Sequence, residues 1–390
     1  MERVRSLHIP VHRLRHIERR IVGIPVDAWP TLAPGLAATV ALAWVSIWLS
    51  RFLGVQVMGF ARSPVSPVMV AIVLGLVFGN VTPLPAAFKP GLTFAVKKLL
   101  RLGIILLGIR LSIFDVFQLG ARGVPIVLLT IASALLVTRW LNRRLRLPAR
   151  LGTLIAVGTS ICGVSAIVAA APAIDAEEED VAYAVAVITV FGILATLFYP
   201  YVAHGLFAHS PTQAGLFLGT AIHDTSQVTG AGLVYADVFA ASQALNVATI
   251  TKLVRNVFMV AVIPLLACWH ARDSAQCSAA REKTRLRKLL PLFIVGFLAL
   301  AVARSIGDAG IQSSGRAFAL WDATAWRGLH SGVAGWAVNF LVVALAGVGL
   351  STNFGVIKGL GFKPFLVGLG AALVVGLVSV AAIVGFGGML

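Results

Sequence analysis

The sequence predicts an all-α polytopic membrane domain of about eleven transmembrane helices, and three observations carry that prediction. Only 12% of the residues are charged and 58% are hydrophobic, against about 25% charged in soluble domains. A soluble fold this apolar has too little polar surface to cover itself. Apolar runs long enough for a bilayer recur from residue 32 to the C-terminus. Basic residues collect between those runs, as they do in the cytoplasmic loops of membrane proteins.

A transmembrane helix needs about 20 mostly apolar residues. The candidate spans are 32–49, 67–81, 102–119, 123–141, 151–174, 181–202, 214–234, 244–268, 289–302, 333–350 and 365–386. Residues 1–30 form a basic, cytoplasmic N-terminal segment, and 31–390 the transmembrane domain. The segment carries Arg3, Arg5, Arg13, Arg15, Arg19 and Arg20, and it has no apolar core of the kind a cleaved signal peptide needs. With it placed inside, alternation puts Lys89, Lys97, Lys98 and Arg101 inside. Arg143, Arg144, Arg146 and Arg150 follow, then the run from Arg281 to Lys288, then Lys358 and Lys363. The acidic run Glu177–Asp180 falls outside, as does the C-terminus. The expected location is the bacterial inner membrane.

The net charge of +17 would suggest nucleic acid in a soluble chain, but its placement in loops argues against such a partner. Cys162, Cys268 and Cys277 show no paired framework, so neither a disulfide scaffold nor a structural zinc site is expected. No HExxH, P-loop or GxSxG signature occurs, so an ATP-driven pump within this chain is not expected. Neither is a cofactor or a metal.

An internal repeat appears when the chain is shifted by 239 positions. Leu106 then aligns with Leu345, Gly108 with Gly347, Leu111 with Leu350, Ser112 with Ser351, Gly120 with Gly359, Pro125 with Pro364 and Ala132 with Ala371. The copies begin on the third and tenth candidates, so they run in opposite directions. Inverted repeats are common in secondary transporters.

Two apolar stretches are interrupted midway by polar, helix-breaking residues. They are Gly158-Thr159-Ser160-Ile161-Cys162-Gly163-Val164-Ser165 and Gly219-Thr220-Ala221-Ile222-His223-Asp224-Thr225-Ser226-Gln227, and they share the pattern G-T-x-I-x-x-x-S. Irregular backbone at membrane depth is tolerated only where protein or a wet cavity satisfies it. A half-helix starting there offers free N–H groups and a partial positive charge. Gly158 alone reads as close helix packing; the paired motifs together read as a binding site.

Downstream, Lys252, Arg255 and Asn256 share one helix face at i, i+3 and i+4. A charge at the bilayer centre costs about 3 kcal/mol on insertion scales, so both cations need partners. Asp224 is one candidate and a bound anion another; a purely structural pair of Asp224 with Arg255 would still leave one cation over. Arg110 either pairs with Asp115 or faces the same cavity. His223, beside a carboxylate, is suited to proton exchange near neutral pH.

At these motifs the chain resembles the YeiH-type family of bacterial membrane proteins, which is linked to sulfate export. The resemblance rests on G-T-S-I-C-G-V-S-A-I (158–167), E-E-D-V-A-Y-A-V-A (178–186), H-D-T-S-Q-V (223–228), K-L-V-R-N (252–256) and G-I-R-L-S (108–112). It runs from the second span onward and leaves out the basic N-terminus. It implies the cation-antiporter and anion-transporter superfamily, with inverted repeats, two discontinuous helices at the midplane and cargoes such as sulfate or organosulfonates. One departure is that the two interrupted stretches do not correspond under the 239-residue shift, and both run the same way in the span count.

Together these readings predict a secondary transporter, an exporter by resemblance, that works by alternating access. A small oxyanion would lie between the breaks on Thr159, Ser160, Gly163, Ser165, Thr225, Ser226, Lys252, Arg255 and Asn256. His223 and Asp224 would couple transport to H⁺ or Na⁺, and Arg110 is a further candidate. Replacing Arg255 with Ala is expected to abolish flux without unfolding the protein. The competing classes are an intramembrane enzyme using His223, Asp224 and Cys162, and an anion channel. Expected partners are the anion, the coupling ion, membrane lipid and a second copy of the chain.

Overall fold

The computed structural model describes residues 29–59, 63, 65–270, 291–352 and 362–386. The basic segment 1–28, residues 271–290 and Lys358 lie outside the described residues. Apart from a two-strand hairpin, β1 (Arg316–Ala317) with β2 (Trp321–Asp322), the regular structure is helical.

The helices are α1 (Trp29–Arg51), α2 (Pro67–Val81), α3 (Lys89–Phe94), α4 (Leu100–Leu107), α5 (Ile113–Arg144), α6 (Ala149–Ser160), α7 (Val164–Ala170) and α8 (Glu178–Phe207). They continue with α9 (Pro211–Ala221), α10 (Thr225–Val238), α11 (Ser242–Val257), α12 (Met259–His270), α13 (Leu292–Ser314), α14 (Ala323–Ser351) and α15 (Phe362–Gly385). Six of these, α1, α5, α8, α13, α14 and α15, are long and apolar enough to cross a membrane; α11 with α12, bent by 40° at one break, makes a seventh. The chain is therefore an all-α membrane protein. Eleven such spans, the sequence expectation, are not found among the described residues.

Caps mark where the helices start. Ser66 accepts from the Val68 amide ahead of Pro67, and Ser112 with Asp115 closes a reciprocal box at α5. Each box satisfies donors that a helix start leaves without a partner. The helices gather into two packed groups. In the first, α1, α2, α4, α13 and α14 share one apolar core. Gly75 and Gly349 let α2 and α14 touch backbone to backbone, for a Cβ on Gly75 would sit 2.9 Å from the Gly349 Cα. Such small-residue crossings hold helices together where lipid removes the hydrophobic drive. The second group packs α5, α8, α11 and α15 around the broken segments.

Both interrupted stretches fold back on themselves, which corrects the reading of 151–174 and 214–234 as broken helices that each cross the membrane. The twelve residues of α6 extend about 18 Å, short of the roughly 30 Å hydrocarbon core. After Ile161, Cys162 and Gly163, α7 returns alongside α6, and Gly158 faces Ile167. The two ends meet where Arg150 pairs with Glu177 at 3.3 Å. The acidic run Glu177–Asp180 thus sits on the same side as Arg150, not the opposite one.

In the second stretch, Gly215 and Gly219 of α9 lie against the Ala244 and Ala248 carbonyls, and Gly232 of α10 lies against Leu245. Gln243 donates to Thr212 at 3.1 Å. The start of α9 and the end of α10 therefore both flank the start of α11. The 30-residue α8 joins the two hairpins, so they open toward opposite ends of the bundle and their tips meet in between.

The 239-residue shift maps one helix end onto another. The chain leaves helical geometry at Leu111 (φ −124°, ψ 146°) and at Thr352 (φ −87°, ψ 114°). The matched helices also pack together, α4 on α14 and α5 on α15.

Candidate functional site

The hairpin tips converge on one face of α11. Lys252 and Arg255 are fully buried. Lys252 Nζ donates to the carbonyls of Ile161 at 2.7 Å, Ile222 at 2.9 Å and His223. Arg255 donates from Nε to Ser160 at 2.6 Å, from Nη1 to Thr220 at 2.6 Å, and from Nη2 to Thr159.

The physical reason lies in the breaks. A helix leaves its last carbonyls without partners and carries about half a negative charge at its C-terminus. Here α6 and α9 both end at the tips, and the two cations satisfy both ends. The sequence reading sought a carboxylate or an anion as their partner; the nearest partners are backbone carbonyls instead. This also corrects the expectation for Arg255→Ala, which would strand three buried carbonyls and so destabilise the fold as well as any transport.

Asp224 is occupied elsewhere, as the cap of α10. Its carboxylate accepts from the Ser226 amide at 2.8 Å and from the Ser226 hydroxyl, while Gln227 Oε1 accepts from the Asp224 amide at 3.2 Å. The charge at the crossing then follows by addition. Two helix C-termini and two N-termini cancel, and Lys252 plus Arg255 against Asp224 leaves an excess of about one positive charge.

The structure narrows the candidate residues. Thr159 and Ser160 turn their hydroxyls back to Ile155 and Val157 in α6 and are fully buried; they contribute carbonyls, not free donors. Gly163 adopts φ 68°, ψ −127° and packs against Asp224, where a Cβ would lie 2.8 Å from Oδ2. Ser165 is exposed on the first turn of α7. Thr225 Oγ1 accepts from Asn256 Nδ2 at 3.1 Å. His223 Nδ1, Asn256 Oδ1 and Thr251 Oγ1 are buried with no hydrogen-bond partner among the described residues. Two of these, on His223 and Asn256, lie at the tips, while Thr251 Oγ1 faces Gly123 of α5; they stand out, since buried polar atoms are paired in the great majority of cases.

Arg110 is not part of this centre, and it does not pair with Asp115, which caps α5. It lies in the field of Asp237, near the far end of α10 and about 18 Å along that helix from the tip. Asp237 also accepts from Ser66 at 3.0 Å and lines a cavity of about 630 Å³ with Arg51, Gln56 and Ser63. Sequence reasoning gave no role to Thr251, Gln227 or Ser379. The last bonds Thr220 at 2.5 Å from α15, a contact between distant segments that leaves no local pattern. Cys162 is a buried free thiol packed on Met259, as expected. Cys268 is disulfide-bonded, a pairing the cysteine spacing did not signal. No cluster that could hold a metal occurs among the described residues.

Residues 34–368 match the family described as conserved hypothetical protein 698, so the similarity starts within α1, one helix earlier than the motifs suggested. A membrane protein of Streptococcus pneumoniae is 37% identical over 280 residues, 71% of this chain and 80% of its own. One of Bacillus anthracis is 31% identical over 336 residues, covering 86% and 89%, and one of Nitratidesulfovibrio vulgaris is 28% identical over 381, covering 95% and 99%. All three carry the name UPF0324 membrane protein. On these matches, and on the motifs that now prove to form the hairpin tips, the chain belongs to the conserved hypothetical protein 698 family, the YeiH-type bacterial membrane proteins.

Proposed function

We propose that this chain is a secondary transporter, not an enzyme, that exports a small oxyanion such as sulfate or an organosulfonate across the bacterial inner membrane. The observation that carries the reading is the crossing itself. Two hairpin tips, a surplus positive charge and the unpartnered His223 Nδ1 share one spot halfway along the bundle. A surplus charge in a low-dielectric site favours an anionic occupant.

On this reading the chain crosses the membrane nine times and enters it twice as hairpins, from opposite sides. The repeat is inverted, because α4–α5 and α14–α15 turn at opposite ends of the bundle. The end carrying Arg143, Arg144 and Lys363 faces the cytoplasm with the N-terminus, by the positive-inside rule. The anion sits against Gly163, Ser165, Thr225 and Ser226, with Nδ2 of Asn256, which now holds Thr225, as a directional donor. Lys252 and Arg255 supply the field from behind while holding the tips. His223 and Asp224, at the turn of one hairpin, are the coupling pair for H⁺ or Na⁺. Alternating access then needs only that the tips open toward one face at a time.

The test is counterflow of labelled sulfate and sulfoacetate in proteoliposomes, with wild type against Arg255→Lys. Lysine keeps the charge but loses the forked geometry, and flux at least tenfold lower is expected with the protein still folded. Unchanged flux in that variant rejects the site. Substrate turnover by the protein in detergent, without a sealed compartment, would favour an enzyme. Currents far above carrier rates with no ion coupling would favour a channel.

A further inference from the structure

At the end of the bundle where α5 finishes, a cavity of about 290 Å³ lies between α5, α6 and α12, along α6 from its start to one turn short of its tip. Leu135, Ala156 and Leu266 form its apolar wall. Arg139 and Arg143, one helical turn apart on α5, form its rim, with Asn142 between them. Arg139 and Arg143 are exposed, and Asn142 is 7% exposed. Asn142 packs on Gly152, where any Cβ would run into its amide, and its Oδ1 is buried without a hydrogen-bond partner among the described residues. Trp140, on the same turn, is 60% exposed, as aromatics at the lipid–water boundary are.

We propose that this cavity seats the headgroup of an anionic phospholipid. Two guanidinium groups match a phosphodiester, which they can bind through paired N–H donors. The wall below them is apolar and continues into the bundle side, which suits the first carbons of an acyl chain and has no use for a free phosphate ion. The amide at Asn142 adds an acceptor for a headgroup hydroxyl. Basic pockets between transmembrane helices are known to take such headgroups. The occupant would tie α6 to α5 and α12. Since α6 ends at the Thr159–Ile161 tip, the lipid would brace one wall of the crossing.

The experiment uses the full chain in detergent and counts bound phosphatidylglycerol by native mass spectrometry, with phosphatidylcholine and inorganic phosphate as comparators. Wild type is expected to retain one phosphatidylglycerol in preference to phosphatidylcholine. The double variant Arg139→Gln/Arg143→Gln should bind it about 10- to 30-fold more weakly, from the loss of two near-surface cations. Arg144→Gln, which removes a neighbouring charge that does not line the cavity, should stay within about twofold. An equal loss in Arg144→Gln would mean diffuse surface charge and overturn the proposal. So would equal retention of phosphatidylcholine, or displacement of the lipid by millimolar phosphate. If the double variant does not fold, a photoreactive phosphatidylglycerol on wild type decides the matter. Adducts within 135–143 or 149–156 support the site, and adducts confined elsewhere overturn it.

Discussion

At the α9–α10 tip the chain restarts its helix on a full set of side-chain caps, whereas at the α6–α7 tip it restarts on a glycine alone. Asp224, Ser226 and Gln227 satisfy the first turn of α10. The N-cap of α7 is Gly163, which has no side chain to cap it, and it turns the corner at φ 68°. The C-terminal sides are treated alike, because both α6 and α9 hand their carbonyls to Lys252 and Arg255. The two tips therefore share one electrostatic clamp and differ in what they leave available. One is closed by its own residues. The other keeps backbone capacity and an exposed hydroxyl, Ser165, at its mouth. If one tip yields to a ligand, this contrast makes it the α6–α7 tip.

The largest expected effect would break the shared clamp. Lys252→Ala or Arg255→Ala leaves buried carbonyls of both tips unpaired, and about 3–5 kcal/mol of stability should be lost. Thermal melting in detergent would register it as failure to recover a folded protein. A near-normal melt would show that the clamp is incidental. Next is Gly163→Ala, which forces a side chain into a left-handed backbone and against Asp224; a loss of about 2–3 kcal/mol is expected by denaturant titration. A cost under about 0.5 kcal/mol would mean the tip relaxes freely.

Asp224 separates cap from charge. Asp224→Ala should cost about 1–2 kcal/mol, whereas Asp224→Asn keeps the cap and should cost little. Ion coupling, read as the dependence of sulfate counterflow on a pH or Na⁺ gradient, should fail in both. Coupling that survives in Asp224→Asn removes Asp224 from that role. The smallest stability effect is at Ser165→Ala, within about 0.5 kcal/mol for an exposed site. Its apparent sulfate affinity should nonetheless fall severalfold. An unchanged affinity would leave the open tip without a ligand role and undo the contrast.

Much of this was legible from residue types. Gly, Ser and Thr inside apolar runs mark backbone that cannot stay helical, and both breaks fall where G-T-x-I predicts them. The i, i+3, i+4 spacing of Lys252, Arg255 and Asn256 puts them on one face, and that face meets the tips. The residues matched under the 239-residue shift lie in the segments α4–α5 and α14–α15, outside both hairpins. Hydropathy could not tell a hairpin from a span, because both bury some 20 apolar residues. Tertiary contacts such as Arg150 with Glu177, and Gln243 with Thr212, show that the chain returns.

The sequence by itself determined the membrane class, the broken helices and the intramembrane cations, since each follows from burial cost or backbone geometry at a single position. Tertiary structure alone decided what those cations bind. Every residue carries a carbonyl, so a carbonyl leaves no mark in the sequence. Which carbonyls are orphaned and brought to Lys252 and Arg255 depends on how two hairpins from distant segments cross.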